Sequence, residues 1–298
     1  MKISKTNSRD QLTQANILSQ ALPFMQKYSG KNITIKFGGS AMGEENLSAS
    51  FAKDIVLLKQ VGINPIVVHG GGPRIKKMLD KIGVKTSFIN GLRITNKETI
   101  EIVEMVLSGS INKQIVMEIN KVGGKAIGMS GKDALLSRIS KIKLNYLSKN
   151  KINKADLGYV GTPDKINNEF LLWCLKSDFI PVISPIGFDK NFETYNVNAD
   201  TMAGKISSSI KSERLVLLTD VSGVIDKKGN LLTQINIKDV NRLIKNGTIK
   251  DGMIPKVQTC VDAVKNGVKA GVILDGKISH SILLEIFTDH GVGTLITK

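Results

Sequence analysis

The chain has 298 residues, 41% of them hydrophobic, enough to bury a full core without a metal or disulfide staple. Its two cysteines, Cys174 and Cys260, lie far apart and outside any C-x-x-C arrangement, which argues against a disulfide framework or a zinc site and for a reducing, cytoplasmic setting. The formal net charge of +16 would suit a nucleic-acid binder, but the lysines are scattered and aromatic residues make up only 5%, so anionic small molecules are the expected partners and nucleic acid is not.

In chain order, Leu12, Ala15, Leu18, Leu22 and Met25 give the first 30 residues one apolar helical face that Pro23 should kink. A targeting peptide would carry more arginine than Arg9 alone, so a helix docking on a partner subunit is expected. Strands follow at Ile33 to Phe37 and Pro65 to His69, joined by a crossover helix over Leu47 to Val61 with Phe51, Ile55, Leu58 and Val61 on one face. Periodicity then predicts one long helix from Lys97 to Lys121. The polar, lysine-rich stretch from Ala134 to Asn168, with Gly158, Gly161 and Pro163, reads as hairpins and loops forming a lid or edge sheet rather than core. Strands at Ile180 to Ser184 and Leu215 to Thr219 and helices over Ala199 to Ile210 and Ile254 to Gly267 complete an alternating pattern. That alternation is the signature of an α/β fold with a mostly parallel sheet. No apolar run reaches the roughly 18 residues a membrane span needs.

Three turns directly follow predicted strands: Gly38-Gly39-Ser40, Gly70-Gly71-Gly72 and Asp220-Val221-Ser222-Gly223. In a parallel sheet they share the carboxyl-end edge, where exposed amides and helix N-termini form anion cradles. Glycines that merely permit tight turns are the plain alternative for any one of them. There is no G-x-x-x-x-G-K-[ST], no complete G-x-G-x-x-G and no kinase H-R-D with D-F-G. Lys36 is the penultimate residue of an otherwise apolar strand beside the first turn, a costly place for a charge unless an anion meets it, although it could also snorkel from the strand end. Lys256 starts a helix that could bring a second cation to the same edge. Arg93, in Asn90-Gly91-Leu92-Arg93-Ile94-Thr95, suits bidentate capture of a carboxylate or, equally, a surface salt bridge. In Asn196-Val197-Asn198-Ala199-Asp200, Asn198 could cap the helix while Asn196 and Asp200 face the site. No serine, cysteine or histidine constellation supplies a nucleophile and base, and His69 reads as a hydrogen-bonded structural residue. A carboxylate acceptor needs neither, being ionised at neutral pH and able to attack phosphorus directly.

Ile35-Lys36-Phe37-Gly38-Gly39-Ser40, Val67-Val68-His69-Gly70-Gly71-Gly72-Pro73, Asn90-Gly91-Leu92-Arg93, Asn196-Val197-Asn198-Ala199-Asp200, Leu218-Thr219-Asp220-Val221-Ser222-Gly223-Val224 and Asp251-Gly252-Met253-Ile254-Pro255-Lys256 occur in this order over nearly the whole chain. Together they resemble the amino acid kinase family, and within it the branch acting on N-acetyl-L-glutamate in arginine biosynthesis. The resemblance implies a three-layer αβα sandwich around a mainly parallel central sheet. It also implies transfer of phosphate from ATP, entering with Mg²⁺, to give N-acetyl-L-glutamyl 5-phosphate, with no protein ligand to the metal. Lys36 and Lys256 would stabilise the transferring group and Asp200 would organise them. Gly71, Gly72, Arg93 and Asn196 would bind the acceptor; Gly38, Gly39, Asp220, Val221, Ser222, Gly223, Val224, Ile225 and Met253 would serve the nucleotide. The implied division is an oligomerisation helix (1–30), an acceptor-binding and dimerisation lobe (31–211) and a nucleotide lobe (212–298). The N-terminal helix and the segment from His280 to Thr288 resemble the L-arginine-inhibited homo-oligomers, dimers assembled as hexamers, with His280, Glu285 and Gly291 near the inhibitor. Thr162, where relatives commonly carry an acidic residue, departs from the pattern in the lid.

Overall fold

The computed structural model describes residues 8–38, 42, 45–148, 151–289 and 291–298. Helix α1 (Ser8–Tyr28) passes through Pro23 without a break, leaving Leu12, Ile17, Leu18 and Leu22 exposed. Its end is moored where Arg214 Nη2 donates to the Tyr28 hydroxyl at 2.9 Å. Strand β1 (Asn32–Phe37), helix α2 (Glu45–Gln60) and strand β2 (Asn64–His69) match the first predicted crossover unit, and α3 (Gly72–Lys81) starts directly in the second glycine turn with Pro73 at its front. The short hairpin β3 (Phe88–Ile89) and β4 (Leu92–Arg93) carries Arg93.

The predicted single helix over Lys97 to Lys121 is instead three segments: α4 (Lys97–Glu104), a π-helical stretch Met105–Ile111, and α5 (Asn112–Lys121). Periodicity at 3.6 residues hides the extra residue that a π turn accommodates. After β5 (Ala126–Ser130), the lysine-rich stretch forms a long antiparallel hairpin of β6 (Ser137–Ser148) and β7 (Lys151–Ile166). This hairpin closes into a small barrel with two later strands, β9 (Ile186–Phe188) and β10 (Thr194–Val197), and buries Ile139, Leu157 and Val160, with Ile139 in the same core cluster as Ile66, Met202 and Leu215, so part of the stretch read as peripheral joins the core. The intervening elements are α6 (Asn168–Lys176) and β8 (Ile180–Ser184), then β9 (Ile186–Phe188) and β10 (Thr194–Val197) themselves. Helix α7 (Ala199–Ser209), capped by Asn198 accepting from the Thr201 amide at 3.1 Å, leads to β11 (Arg214–Thr219). The chain finishes with β12 (Gln234–Asn236), α8 (Val240–Lys245), α9 (Met253–Lys265), β13 (Ala270–Asp275), α10 (Ser281–Phe287) and β14 (Thr294–Thr297).

Eight strands form the central sheet in the order β12-β14-β13-β11-β1-β2-β8-β5. From β13 to β5 all neighbours are parallel; β14 is antiparallel to β13, and β12 follows β14. Alternation sends Ile33, Ile35, Phe37, Val216 and Leu218 to one face, against α2, α5 and α10, and Ile66, Val68, Leu215, Leu217 and Ile273 to the other, against α6, α7 and α9. The result is the three-layer α/β architecture with β1 and β11 at its centre. Among the described residues no helix is long and apolar enough to cross a membrane.

Candidate active site

Because β1, β2 and β11 run parallel, the turns that follow them share one edge of the sheet. The turns after β1 and β2 are tied by the Gly70 amide donating to the Phe37 carbonyl at 2.8 Å. Lys36 folds back over Gly38: a Cβ there would stand 2.9 Å from the Cε and Nζ of Lys36, so a larger residue would displace the ammonium from its place. Gly39 lies outside the described residues.

Lys36 alternates with the apolar residues of β1 and so projects to the α7 face, where Asp200 occupies the first turn of that helix. All three charged groups at this point are sheltered. The Lys36 ammonium is 3.1 Å from Asp200 Oδ1, and Lys256, in the first turn of α9, donates to Oδ2 at 2.7 Å. The Lys256 contact is an aligned hydrogen bond, whereas Oδ1 has Lys36 as an ion-pair partner but no aligned donor. Burial alone would raise the pKa of Asp200; the two ammonium groups outweigh it and hold the carboxyl below the usual carboxylate range. One carboxylate thus holds two lysines from opposite ends of the sequence at a common point, leaving an excess positive charge directed at the edge.

These residues line an open cavity of about 280 Å³ together with Gly71, Gly72, Arg93 and Asn196. All four residues expected on the acceptor side therefore line the same cavity as Lys36 and Lys256. Arg93 is buried, and its guanidinium donates to Thr86 Oγ1 at 3.2 Å and the Gly72 carbonyl at 3.3 Å while lying 4.6 Å over the Phe88 ring. Among the described residues no carboxylate lies within salt-bridge distance, so the surface-salt-bridge alternative falls away. Burial lowers the Arg93 pKa, with the charge of Asp80 acting the other way. Among the residues that line the cavity, three cations face one carboxylate, an excess of two positive charges that favours a multiply anionic guest. Asn196 is placed by β10, paired to Val160 of β7 and Ile186 of β9, so the small barrel forms one wall.

On the other side of Asp200, the turn after β11 is held to the turn after β13 by the Gly276 amide donating to the Thr219 carbonyl. The Asp220 carboxyl sits below its usual range through a backbone hydrogen bond and the Thr219 hydroxyl. Val221 and Ile225 are 42% and 40% exposed, and Ser222 is exposed too. Gly223 has φ +142° and its Cβ would collide with Thr294, whose hydroxyl accepts from the Val224 amide. Met253 begins α9.

The three residues expected near an inhibitor are not gathered at one point by direct contacts. His280, in a left-handed conformation at the start of α10, turns to α2, with Nδ1 at 2.5 Å from Asp54 Oδ1 and Nε2 at 3.2 Å from Ser50. Burial pushes the Asp54 carboxyl up to about 6. Glu285 instead accepts from the Val292 amide at 3.0 Å and packs on Gly291.

Sequence reasoning did not single out Leu107, Phe88 and Val160 of the cavity wall. The small residues Ser108-Gly109-Ser110, in the middle of an otherwise apolar helical pattern, were the available signal that the helix departs from regularity near Leu107.

The sequence profile of the amino acid kinase family matches residues 31–275. The acetylglutamate kinase of Parvibaculum lavamentivorans is 53% identical, over all of this chain and 98% of that protein. That of Bradyrhizobium diazoefficiens is also 53% identical, over 96% of this chain and 97% of that protein. Among solved structures, N-acetylglutamate synthase from Neisseria gonorrhoeae, complexed with coenzyme A and N-acetyl-glutamate, aligns with a TM-score of 0.83 at 21% identity, over 95% of this chain and 63% of that longer one. Carbamate kinase from Giardia lamblia bound to AMP-PNP aligns at 0.66 and 16% identity, over 91% and 99%. The two structures speak for the fold; the sequence profile and the full-length relatives, joined to the cavity described above, place this chain in the amino acid kinase family.

Proposed function

We propose that this enzyme transfers the γ-phosphoryl group of ATP to the side-chain carboxylate of N-acetyl-L-glutamate, giving N-acetyl-L-glutamyl 5-phosphate and ADP in arginine biosynthesis. The observation that carries the reading is the sheltered Lys36–Asp200–Lys256 cluster opening on a cavity whose Arg93 has, among the described residues, no carboxylate at salt-bridge distance. A carboxylate oxygen attacks phosphorus as the bond to the ADP oxygen breaks, and the charge spread over the three peripheral oxygens is met by the two ammonium groups. No general base takes part, since the acceptor is already ionised. Asp200 keeps the lysines from repelling each other apart. Arg93 and Asn196 bind the remainder of the acceptor, and the amides of Gly71 and Gly72, at a helix start where they have no intrahelical acceptor, complete the anion cradle.

Magnesium belongs to the nucleotide substrate in this reading. Among the described residues, Asp200 is the one carboxylate that lines the cavity and is already committed to two lysines, and no cluster of three acidic, histidine or cysteine side chains could hold a metal. Asp220 to Ile225, with Gly38, Gly39 and Met253, serves the nucleotide. Residues 31–211 form the acceptor and dimerisation lobe and residues 212–298 the nucleotide lobe, with paired β1 and β11 as the seam. The exposed leucines of α1 support its docking on a second dimer in a hexamer, and His280, Glu285 and Gly291 mark the region where L-arginine inhibits. The enzyme works in the cytoplasm.

Trapping acyl phosphate with hydroxylamine while following ADP tests the reaction. Turnover is expected with N-acetyl-L-glutamate and not with glutamate, aspartate or carbamate; turnover only with one of the latter overturns the substrate. Sedimentation with and without residues 1–30 should show a hexamer falling to a dimer, and arginine should depress the rate.

A further inference from the structure

Behind the glycine turn lies a buried pair the reaction does not touch. His69 ends β2 and is fully buried, with Nδ1 at 2.9 Å from the Gly70 carbonyl oxygen and Nε2 at 3.2 Å from Asn112 Nδ2. Asn112 is equally buried, and its Nδ2 is also 2.9 Å from the Val182 carbonyl and 3.5 Å from that of Met129. Carbonyl oxygens only accept, so the neighbours of Asn112 fix which end of its amide faces them, and its two hydrogens go to Val182 and to His69 Nε2. His69 Nε2 therefore accepts, and Nδ1 carries the proton that it donates to Gly70. One neutral tautomer satisfies both contacts. Burial agrees, holding the imidazolium pKa down to about 4.

The inward turn of Asn112 comes from the π-helical stretch. Its backbone amide bonds to the Leu107 carbonyl five residues back, and an α-helical register would rotate the residue by about 100°. The same stretch presses on the glycine turn directly: a Cβ on Gly71 would lie 2.5 Å from Leu107 and 2.6 Å from Ile111. Gly128 has likewise given up its side chain, since a Cβ there would fall 1.9 Å from Asn112 Oδ1.

The Gly70 carbonyl and the Gly71 amide belong to one peptide unit. Among the described residues no peptide bond is cis, so in this trans unit the Gly71 N–H points opposite to the carbonyl that His69 grips, on the turn that lines the cavity. Donation to the carbonyl also polarises the unit and makes its N–H a better donor. We propose that His69 and Asn112 are positioning residues for phosphoryl transfer: Asn112, turned inward by the π-helical stretch, holds His69 as its Nδ1–H tautomer, and His69 aims and polarises the Gly71 amide towards the bound anion. This rests on the acceptor reading given above.

The test uses the full-length enzyme. Asparagine can reproduce a donor at the Nδ1 position of histidine, and phenylalanine cannot. His69→Phe is expected to raise KM for N-acetyl-L-glutamate about tenfold with KM for ATP within about twofold, while His69→Asn recovers most of the loss. In ¹⁵N-labelled enzyme at neutral pH, the His69 ring should show a protonated Nδ1 and a bare Nε2; with only three histidines, the His69→Asn spectrum assigns it. An Nε2–H or doubly protonated ring overturns the proposal even if His69→Phe does not fold. So does a His69→Asn enzyme as impaired as His69→Phe, or a fall in kcat with both KM values unchanged, the mark of fewer folded molecules. If the wild-type enzyme does not turn over N-acetyl-L-glutamate, the substrate reading fails, while the tautomer measurement still judges the His69–Asn112 pair.

Discussion

On one side of Asp200, the turn after β2 is walled in: Leu107 and Ile111 press on Gly71, His69 grips the Gly70 carbonyl, and Arg93 is buried with no carboxylate, among the described residues, at salt-bridge distance. On the other side, the turn after β11 leaves Val221 and Ile225 about two-fifths exposed and so offers a partly apolar surface. The proposed acceptor side thus holds fixed charges and dipoles before any ligand arrives, which lowers the reorganisation needed when charge develops. The proposed nucleotide side has little to preorganise, since an aromatic base asks mainly for apolar contact. Selectivity should therefore reside in the first region and tolerance in the second.

Substitutions can break that contrast. Asp200→Asn removes the charge that gathers both lysines, so kcat should fall about 10²- to 10³-fold with both KM values nearly unchanged, read by steady-state kinetics. Arg93→Lys keeps the charge and loses the fork; KM for the acceptor should rise about tenfold to a hundredfold with little change for ATP. Gly71→Ala should cost about tenfold in kcat/KM by pushing on Leu107, and the double variant with Leu107→Ala should recover part of it. Smallest of all, Val221→Ala with Ile225→Ala should raise KM for ATP about threefold and leave the acceptor untouched. If the last pair instead altered acceptor affinity as strongly as Arg93→Lys, the division between the two sides would be false.

The central strands were legible because burial on both faces forces near-continuous apolar runs, as in Ile33 to Phe37 and Leu215 to Thr219. Lys36 was legible for the same reason, as the charge that such a run should not contain. Arg93 was only half legible: its residue type and turn suited carboxylate capture, but its burial without a carboxylate partner is tertiary and leaves no mark in the local pattern. The barrel of β6, β7, β9 and β10 was obscured because its outward residues are lysine-rich while the inward ones, Ile139, Leu157 and Val160, are too few to give a clear period. Asn112 could not be found at all. It sits in a helical pattern that stays periodic on either side of the π turn, and its partners come from β2, β5 and β8.

The pairing of β1 with β11 at the middle of the sheet brings together strands from opposite halves of the chain. Lys36 meets Asp200 and Lys256 only when that pairing is made, so the chemistry depends on contacts of long sequence separation whose loop-closure entropy has to be overcome first. During refolding, helix content should return early and catalysis late. A stopped-flow comparison of circular dichroism with regained turnover would show the active site maturing among the last parts of the molecule to form.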